Sequence, residues 1–332
     1  MNDFDDSDGQ RNEPDHPSRR KFLECATWAG TGILWTIAGG VPYSLGLIGE
    51  AKAQEAGSLS FLQISDSHIG FGKPANPNVK GTLEEAIDRI SAMPVKPSFL
   101  IHTGDITHLS KPDQFDDAAQ IISKAQLVTH FVPGEHDLLD PAGRLYLDRY
   151  GAGTKGSGWY SFDANGVHFM GLVNVATGGR YMSIVDTENP GGQAGGLGVL
   201  GPEQLAWMED DLKGRSTSTP IVVFAHMPMW AVYPTWGWGT DDGARALGLL
   251  KRFGSVTVLN GHIHQVMQKV EGNVTFHTAL STAYPQPAPG TAPKPGPKQV
   301  PPDKLRSVIG TTNITFKQGQ QRLAVVDAPL QS

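Results

Sequence analysis

Cysteine is almost absent from this sequence. The 332 residues contain one cysteine, Cys25, which lies in an N-terminal segment that we expect to be removed. The remaining chain then has no thiol, which excludes disulfides, cysteine-ligated metal sites and a cysteine nucleophile. Any metal site there has to use oxygen and nitrogen ligands from Asp, Glu and His.

Runs of lysine and arginine are also missing. The chain has 27 Lys and Arg against 33 Asp and Glu, a net charge of −6 and a pI near 6.0. Because nucleic-acid backbones are bound mainly through clustered cations, no nucleic-acid partner is expected. Charged residues make up 18% and hydrophobic residues 39%, a balance typical of a globular enzyme. The 40 glycines and 24 prolines indicate many loops, where sites often lie.

The first 53 residues have the composition of a targeting segment. Ser18-Arg19-Arg20-Lys21-Phe22-Leu23 precedes an uncharged stretch, 26–49, which is followed by the small-residue pattern Ala51-Lys52-Ala53. A basic region, an apolar region and a small-residue cleavage site are typical of a signal peptide. The paired arginines resemble the twin-arginine (Tat) signal. We therefore expect residues 1–53 to be a twin-arginine signal peptide that engages the Tat export machinery.

An uncleaved membrane anchor is the alternative for the same stretch. Its length is sufficient to span a bilayer. Its many glycines and moderate hydrophobicity favour the signal peptide instead. The expected location is the periplasm or outside the cell, with no stable membrane anchor after cleavage.

Residues 54–332 are predicted to form one α/β domain. Predicted strands are 59–64, 98–102, 126–132, 221–225 and 255–259, with hairpins over 159–173 and 266–278 and two further strands at 314–317 and 322–327. Predicted helices are 82–93, 112–124, 202–212 and 243–253. Strands that alternate with helices indicate βαβ units. Two segments are too biased for regular structure: the glycine-rich segment 191–201 and the Pro-rich segment 284–302.

Polar clusters follow five of the predicted strands. They are Asp66 and His68, then Asp105, then Glu135-His136-Asp137, then His226, then His262 and His264. Ligands bind outside the carboxyl ends of strands in α/β sheets, so these clusters are expected to converge at one edge. Carboxylate and imidazole ligands suit Zn, Mn or Fe better than Cu(I). The ligands outnumber what one tetrahedral metal needs, and two metals about 3.5–4 Å apart can clamp a phosphoryl group.

Each cluster has an ordinary structural explanation when it is taken alone. Asp and His at a strand end often cap turns or helices, Gly-Asp is a common turn pair, and His226 can be a core histidine. Gly-His-x-His is more specific, because two imidazoles two residues apart on an extended segment point the same way. The occurrence of all five clusters at strand ends favours the metal site.

In these motifs the sequence resembles the calcineurin-like metallophosphoesterase superfamily. The pattern of that superfamily is D-x-H, G-D, G-N-H-D/E, a strand-end His and G-H-x-H, and it is matched over residues 60–265. The resemblance implies a four-layer αββα sandwich of two mixed β-sheets flanked by helices. It also implies metal-dependent hydrolysis of a small phosphodiester or phosphomonoester, with a metal-bound hydroxide as the nucleophile.

The resemblance further implies a role for each site residue. Asp66, His68, Asp105 and His264 would hold one metal ion, and Asp105 would bridge to a second ion held by Glu135, His226 and His262. Both ions would be divalent or trivalent, drawn from Fe, Mn and Zn. His136 would contact the phosphate or protonate the leaving oxygen, with Asp137 orienting it.

Glu135 departs from the family pattern, which has Asn at this position. The glutamate is longer and charged, so it can tune the second metal or bridge both metals. The simpler interpretation is that it replaces Asn as a monodentate ligand. Glu135 also raises an alternative function, a catalytically weak metal-binding or sensing protein that retains the ligand set.

His108 lies three residues after Asp105, where some relatives have a metal-ligating Tyr and others a substrate-facing His. We predict that His108 faces the site, the alternative being a solvated loop histidine. No ferric-tyrosinate colour is expected.

Aromatic residues after His226 are the only substrate signal, and it is weak. Trp230, Tyr233, Trp236 and Trp238 can stack on a base or an aryl group, or they can simply anchor their own loop. Tyr284 and Lys294 are weak candidates for the rim of the site. The remaining histidines within apolar runs are assigned structural positions: His102, His130, His168 and His277.

Overall fold

The computed structural model describes residues 33–38, 41–46, 58–175, 196–317 and 323–331. Contacts divide the chain into two units, residues 1–52 and 53–332. In the first unit, strands β1 (Ile33–Ala38) and β2 (Val41–Gly46) form an antiparallel hairpin. The other parts of the predicted signal peptide lie outside the described residues. Among the helices that are described, none has the length and apolar character needed to cross a bilayer.

The second unit contains all the other described elements. Its strands are β3 (Ser58–Ile64), β4 (Leu100–His102), β5 (Thr129–Phe131), β6 (Tyr160–Ala164), β7 (Val167–Gly171), β8 (Ile221–Ala225), β9 (Val256–Asn260), β10 (Met267–Glu271), β11 (Val274–Thr278), β12 (Gly310–Lys317) and β13 (Ala324–Pro329). Its α-helices are α1 (Val79–Ser91), α2 (Pro112–Ser123), α3 (Arg144–Tyr150), α4 (Pro202–Leu212) and α5 (Gly243–Leu250). Short 3₁₀ turns occur at Glu135–Asp137, Pro141–Gly143, Pro234–Trp236 and Leu305–Ser307.

The described strands of this unit form two mixed sheets. One has the order β13-β12-β3-β4-β5, in which β3, β4 and β5 are parallel. The other has the order β10-β11-β9-β8-β7-β6, with a parallel centre and an antiparallel strand at each edge. Ile64 pairs with His102 in the first sheet, and Ala225 pairs with Asn260 in the second. The parallel strands therefore end level with each other, which brings the loops that follow them together.

The core consists of three apolar layers. Between the sheets, Phe61 packs on Phe169 with ring centroids 5.2 Å apart. On the outer face of the first sheet, α1 and α2 share a core with Ile64. On the outer face of the second sheet, α4 and α5 share a core with Val223. The predicted αββα sandwich is confirmed, and its central strands are apolar because both of their faces are covered.

The bounds of several elements differ from the sequence prediction by two to four residues, β12 for example beginning at Gly310 rather than 314, and two further differences concern helices. Helix α1 begins at Val79, three residues early, because the Asn78 side chain accepts a hydrogen bond from Gly81 N at 3.0 Å and caps the helix. Helix α3 was not predicted, and its Tyr146 is buried in the core beneath the first sheet. As predicted, residues 284–302 form turns and bends without a helix or strand.

Candidate metal centre

Unusual backbone turns carry the side chains of the site. Asp66, His68, Asp105, His262 and His264 have φ values of 53°, 44°, 53°, 68° and 52°. This left-handed region is uncommon outside glycine, although Asp and His adopt it more readily than most residues. Each such residue costs on the order of 1–3 kcal/mol, and such residues cluster at functional sites. Here they turn the chain sharply after β3, β4 and β9.

Two motif glycines allow these turns to pack closely. A Cβ atom on Gly104 would lie 2.6 Å from both Gly134 N and His226 Nδ1, and Gly104 has a φ of 92°. A Cβ on Gly261 would lie 2.0 Å from Ser65 Oγ. Only glycine fits at either position, so the loops after β4 and β9 can reach the centre.

Asp66, His68 and His264 form the first ligand group. His264 Nδ1 donates a hydrogen bond to the carbonyl of Tyr284 at 2.6 Å, which leaves a lone pair on Nε2 when the ring is neutral. That Nε2 atom lies 3.2 Å from Asp66 Oδ1 and 3.2 Å from His68 Nε2. Two imidazole nitrogens and a carboxylate oxygen thus face one another in a buried space, as the ligands of a cation do.

Glu135, His226 and His262 form the second group. His226 Nδ1 donates to Thr103 O at 2.7 Å, so its Nε2 also offers a lone pair when the ring is neutral. Nε2 lies 2.8 Å from Glu135 Oε2, and Glu135 Oε1 lies 3.0 Å from His262 Nδ1. The glutamate contacts both imidazoles of this group, and only 9% of its surface is exposed to solvent.

Asp105 joins the two groups. Its Oδ2 atom lies 3.4 Å from His68 Nε2 and 3.4 Å from His226 Nε2. Its Oδ1 atom accepts a hydrogen bond from His136 N at 2.9 Å. The carboxylate therefore lies between the two groups and contacts one imidazole of each.

The electrostatics of the centre favour cations. Asp66, Asp105 and Glu135 are all buried, and buried carboxylates are costly unless cations or hydrogen bonds compensate them. Burial acts to raise the pKa of Glu135, but His262 and His226 hold it well below its usual value. Burial acts to lower the pKa of His226, but Asp105 and Glu135 hold it well above its usual value. The donor set of three carboxylates and four imidazoles fits a pair of metal ions.

His136 lies at the edge of the first group. Its ring centroid is 4.8 Å from that of His68. Its Nδ1 atom donates to the carbonyl of His108 at 2.7 Å, which directs Nε2 away from the loop. This places the imidazole within reach of the centre, as the sequence predicts.

Asp137 makes different contacts from those expected. Its carboxylate accepts hydrogen bonds from the backbone nitrogens of Ile106 (3.0 Å), Thr107 (2.8 Å) and Gly134 (3.0 Å). Asp137 therefore stabilises the loop after Asp105, and the His108 carbonyl takes the orienting contact with the His136 ring that was expected of Asp137. A backbone acceptor of this kind leaves no trace in a sequence pattern.

His108 faces the centre, as predicted. Its Nδ1 atom is 3.5 Å from His68 Nδ1, and its ring stacks on His136 with centroids 4.9 Å apart. Burial lowers the pKa of His108 to about 3, with smaller effects from His136 and Lys73. His108 is therefore a neutral imidazole at physiological pH.

Sequence reasoning gave too little weight to two residues. Tyr284 was a weak rim candidate, yet its ring stacks on His68 with centroids 5.0 Å apart. His102 was assigned a hydrogen-bonded core or surface position, and it is buried, with its Nε2 2.8 Å from Ser67 Oγ and its Nδ1 accepting from Gly104 N at 3.2 Å. His102 thereby joins the loops that carry both Asp66 and Asp105. The position of His102 directly before Thr103-Gly104-Asp105 was the sequence feature that could have indicated this role.

The aromatic residues after His226 mainly support their own loop. Trp236 and Trp238 are buried, pack edge to face at 5.0 Å and share a cluster with Ile263. Trp230 packs on Phe276. The structural positions assigned to the other histidines match their contacts: His130 stacks on Phe162, His168 pairs with Asp163 and Asp211, and His277 pairs with Asp327.

Comparisons with known proteins agree with this geometry. A family model described as calcineurin-like phosphoesterase matches residues 59–266. A 3′,5′-cyclic-nucleotide phosphodiesterase of Nostoc sp. is 22% identical over 68% of this chain and 79% of its own length. A glycerophosphodiester phosphodiesterase of Enterobacter lignolyticus is 23% identical over 68% of this chain and 78% of its own length.

The fold is also similar to that of a solved phosphatase structure. A dimetal phosphatase from Danio rerio superimposes with a TM-score of 0.62 at 13% identity, over 82% of this chain and 96% of that structure. The family match covers the five ligand-bearing loops and the parallel strands β3, β4, β5, β7, β8 and β9 that precede or flank them. The chain therefore belongs to the calcineurin-like phosphoesterase family and is a phosphoric ester hydrolase.

Proposed function

We propose that this protein hydrolyses small phosphodiesters with two metal ions. Asp66, His68 and His264 hold one ion, and Glu135, His226 and His262 hold the other. The observation that carries the proposal is the position of Asp105, whose Oδ2 atom is 3.4 Å from an imidazole nitrogen of each group. Both curated relatives described above are phosphodiesterases, which supports a diester over a monoester.

Metal ions held by these residues would supply Lewis acidity for the phosphoryl oxygens and would lower the pKa of water near neutral pH. Asp105 keeps the two groups at a fixed separation, because its carboxylate is buried and held by the His136 backbone N–H. His136 presents Nε2 to the substrate and gives a proton to the leaving oxygen. His108 fixes the tautomer of that ring through its carbonyl.

A reconstitution experiment tests this function. Protein loaded with Mn²⁺, Zn²⁺ or Fe²⁺ would be assayed on bis-p-nitrophenyl phosphate and p-nitrophenyl phosphate, and its metal content measured. We expect two ions per chain and faster turnover of the diester. Asp105→Asn should lose turnover, whereas Asp210→Asn, which removes an exposed carboxylate on α4, should keep it. Two bound ions without turnover would instead identify a metal-binding or sensing protein, and absence of bound metal would reject both functions.

We further propose that residues 1–53 direct twin-arginine export and that the protein acts in the periplasm or outside the cell. The support is the Arg19-Arg20 pair before an uncharged stretch and the Ala51-Lys52-Ala53 pattern. Arg19→Lys/Arg20→Lys should retain the protein in the cytoplasm of a Tat-competent bacterium. Export of this variant at the wild-type level would contradict the proposal.

A further inference from the structure

The Pro-rich segment 284–302 lies against the turn that carries His262 and His264. Eight of its nineteen residues are proline, and it contains no described helix or strand. Because proline fixes φ, such a segment loses little entropy when it is held in one shape. We call it the strap. Three sets of contacts hold the strap against the His262–His264 turn.

The first contact is made by Tyr284, at the start of the strap. Its carbonyl accepts the His264 Nδ1 hydrogen at 2.6 Å. Its buried ring lies over both imidazoles of the first ligand group, with centroids 5.0 Å from His68 and 4.7 Å from His264. Phe71 packs on the tyrosine at 4.3 Å. Tyr284 thus limits the rotation of His68 and sets the tautomer of His264.

The second and third contacts are made by glutamines. Gln286 Nε2 donates to the carbonyl of His262 at 2.8 Å, while its Oε1 accepts from Gly296 N at 2.9 Å. Gln265 Nε2 donates to the carbonyl of Pro287 at 3.1 Å. The half-buried amide of Gln286 therefore connects the middle of the strap to the backbone of a ligand in the second group. Because His262 has a left-handed backbone, this contact also helps to hold a strained turn.

We propose that Tyr284 and Gln286 are positioning residues that preorganise the two metal subsites separately, Tyr284 the subsite of His68 and His264 and Gln286 that of His262. This inference rests on the metal centre of the proposed function. Neither residue is a ligand. Each holds an imidazole in the orientation that a metal requires before the metal arrives, which lowers the entropy lost on binding.

The two subsites should respond to different substitutions. Tyr284→Leu removes the ring over His68, and Gln286→Leu removes the contact with His262 at similar volume. Loss of an outer partner of a ligand typically weakens metal affinity by about 10–100-fold. Each variant is expected to weaken one of two binding events by about tenfold and to leave the other unchanged. Tyr284→Phe, which retains the ring, should bind both metal ions with the wild-type affinity.

Calorimetric titration of metal-free protein with Mn²⁺, combined with metal analysis after gel filtration, tests the inference. Thr291→Ala is the matched control, since the Thr291 hydroxyl bonds only within the strap, to Ala288 O. If wild-type protein and both variants bind two ions with equal affinity, the strap has no positioning role. If wild-type protein binds no metal, the proposed function fails.

A second readout does not depend on metal. Hydrogen exchange at the amides of residues 261–265 in the metal-free protein should be about tenfold faster in Gln286→Leu than in wild type or Thr291→Ala. Unchanged exchange would overturn the inference whether or not the wild type binds metal. A uniform rise in exchange across the domain would also overturn it, because it would show general destabilisation.

Discussion

Glu135 and His226 meet with Oε2 2.8 Å from Nε2, and both side chains are buried in the centre. Because Asp105 and Glu135 hold the pKa of His226 well above its usual value, the metal-free ring carries a proton on each nitrogen, and it donates from Nδ1 to Thr103 O and from Nε2 to Glu135. Two acceptors at this distance are repulsive unless a cation or a proton lies between them. A metal ion that binds here therefore has to take the place of the proton on Nε2.

Glu135→Gln should convert this arrangement into an ordinary hydrogen bond. The amide has nearly the same shape, but it has no charge and it can donate to His226. We expect one of two ions to bind at least about tenfold more weakly, while the metal-free protein unfolds at an equal or higher denaturant concentration. Calorimetry and denaturation measure the two effects. Glu209→Gln on the exposed side of α4 is the control, and an unchanged affinity in Glu135→Gln would show that the carboxylate does not tune the site.

Metal removal should destabilise the fold. An ion that binds only the folded state adds about 2.7 kcal/mol to the free energy of unfolding when it is present at about 100 times its dissociation constant. The ligands come from loops of both sheets, so this effect should appear in the global transition. Guanidinium unfolding with and without chelator measures it, and Asp66→Asn should reduce the difference. Superimposable curves for the wild type would argue against tightly bound ions.

His136→Gln should separate proton transfer from metal binding. Loss of a general acid typically costs about 10²–10⁴-fold in rate. The cost should be large for an alkyl leaving group and small for p-nitrophenolate, which departs without a proton. Metal content should match the wild type, because His136 is outside both ligand groups. An equal loss of kcat for both leaving groups would assign His136 to phosphate binding instead.

His130 should make the fold sensitive to acid. Its ring stacks on Phe162 at 3.8 Å, and burial lowers the pKa of His130 from 6.5 to about 4. Between these two values the unfolded chain binds more protons than the folded chain, so the free energy of unfolding falls as the pH falls.

His130→Phe keeps the stack and removes the titrating group. The stability gain of the variant over wild type should therefore be larger at about pH 5 than at about pH 7.5. Urea midpoints at both values measure it. A gain that is identical at the two values would mean that the imidazole is solvated in the fold.

Much of the fold could be predicted from the local pattern of apolar and polar residues in the sequence. The strands before Asp66, His226 and His262 are largely buried and mostly apolar, so their lengths and ends could be predicted within about two residues. The convergence of their loops follows from the rule that parallel strands end at a common edge. The assignment of two sheets came from the family resemblance, since nothing local says which strand joins which sheet.

What could not be predicted depends on contacts between distant segments. Tyr284 lies 216 residues from His68 along the chain, and its stacking follows from the path of a segment without regular structure. The hydrogen bond from His136 to the carbonyl of His108 involves a group that every residue has. The sequence shows Asn78, a residue type that often caps helices. It does not show that this cap sets the start of α1, rather than the apolar pattern that begins at Thr82.

The left-handed turns also restrict how this centre can change over generations. Replacing Asp66 or His262 with valine or isoleucine would remove a ligand and also strain the main chain. Glycine would remove the ligand and asparagine would weaken it, but both residues adopt the left-handed backbone conformation readily. Descendants that abandon catalysis should therefore carry small or amide residues at these positions while the surrounding loops keep their course. Such a descendant needs few codon changes to regain the chemistry, because the scaffold for it survives.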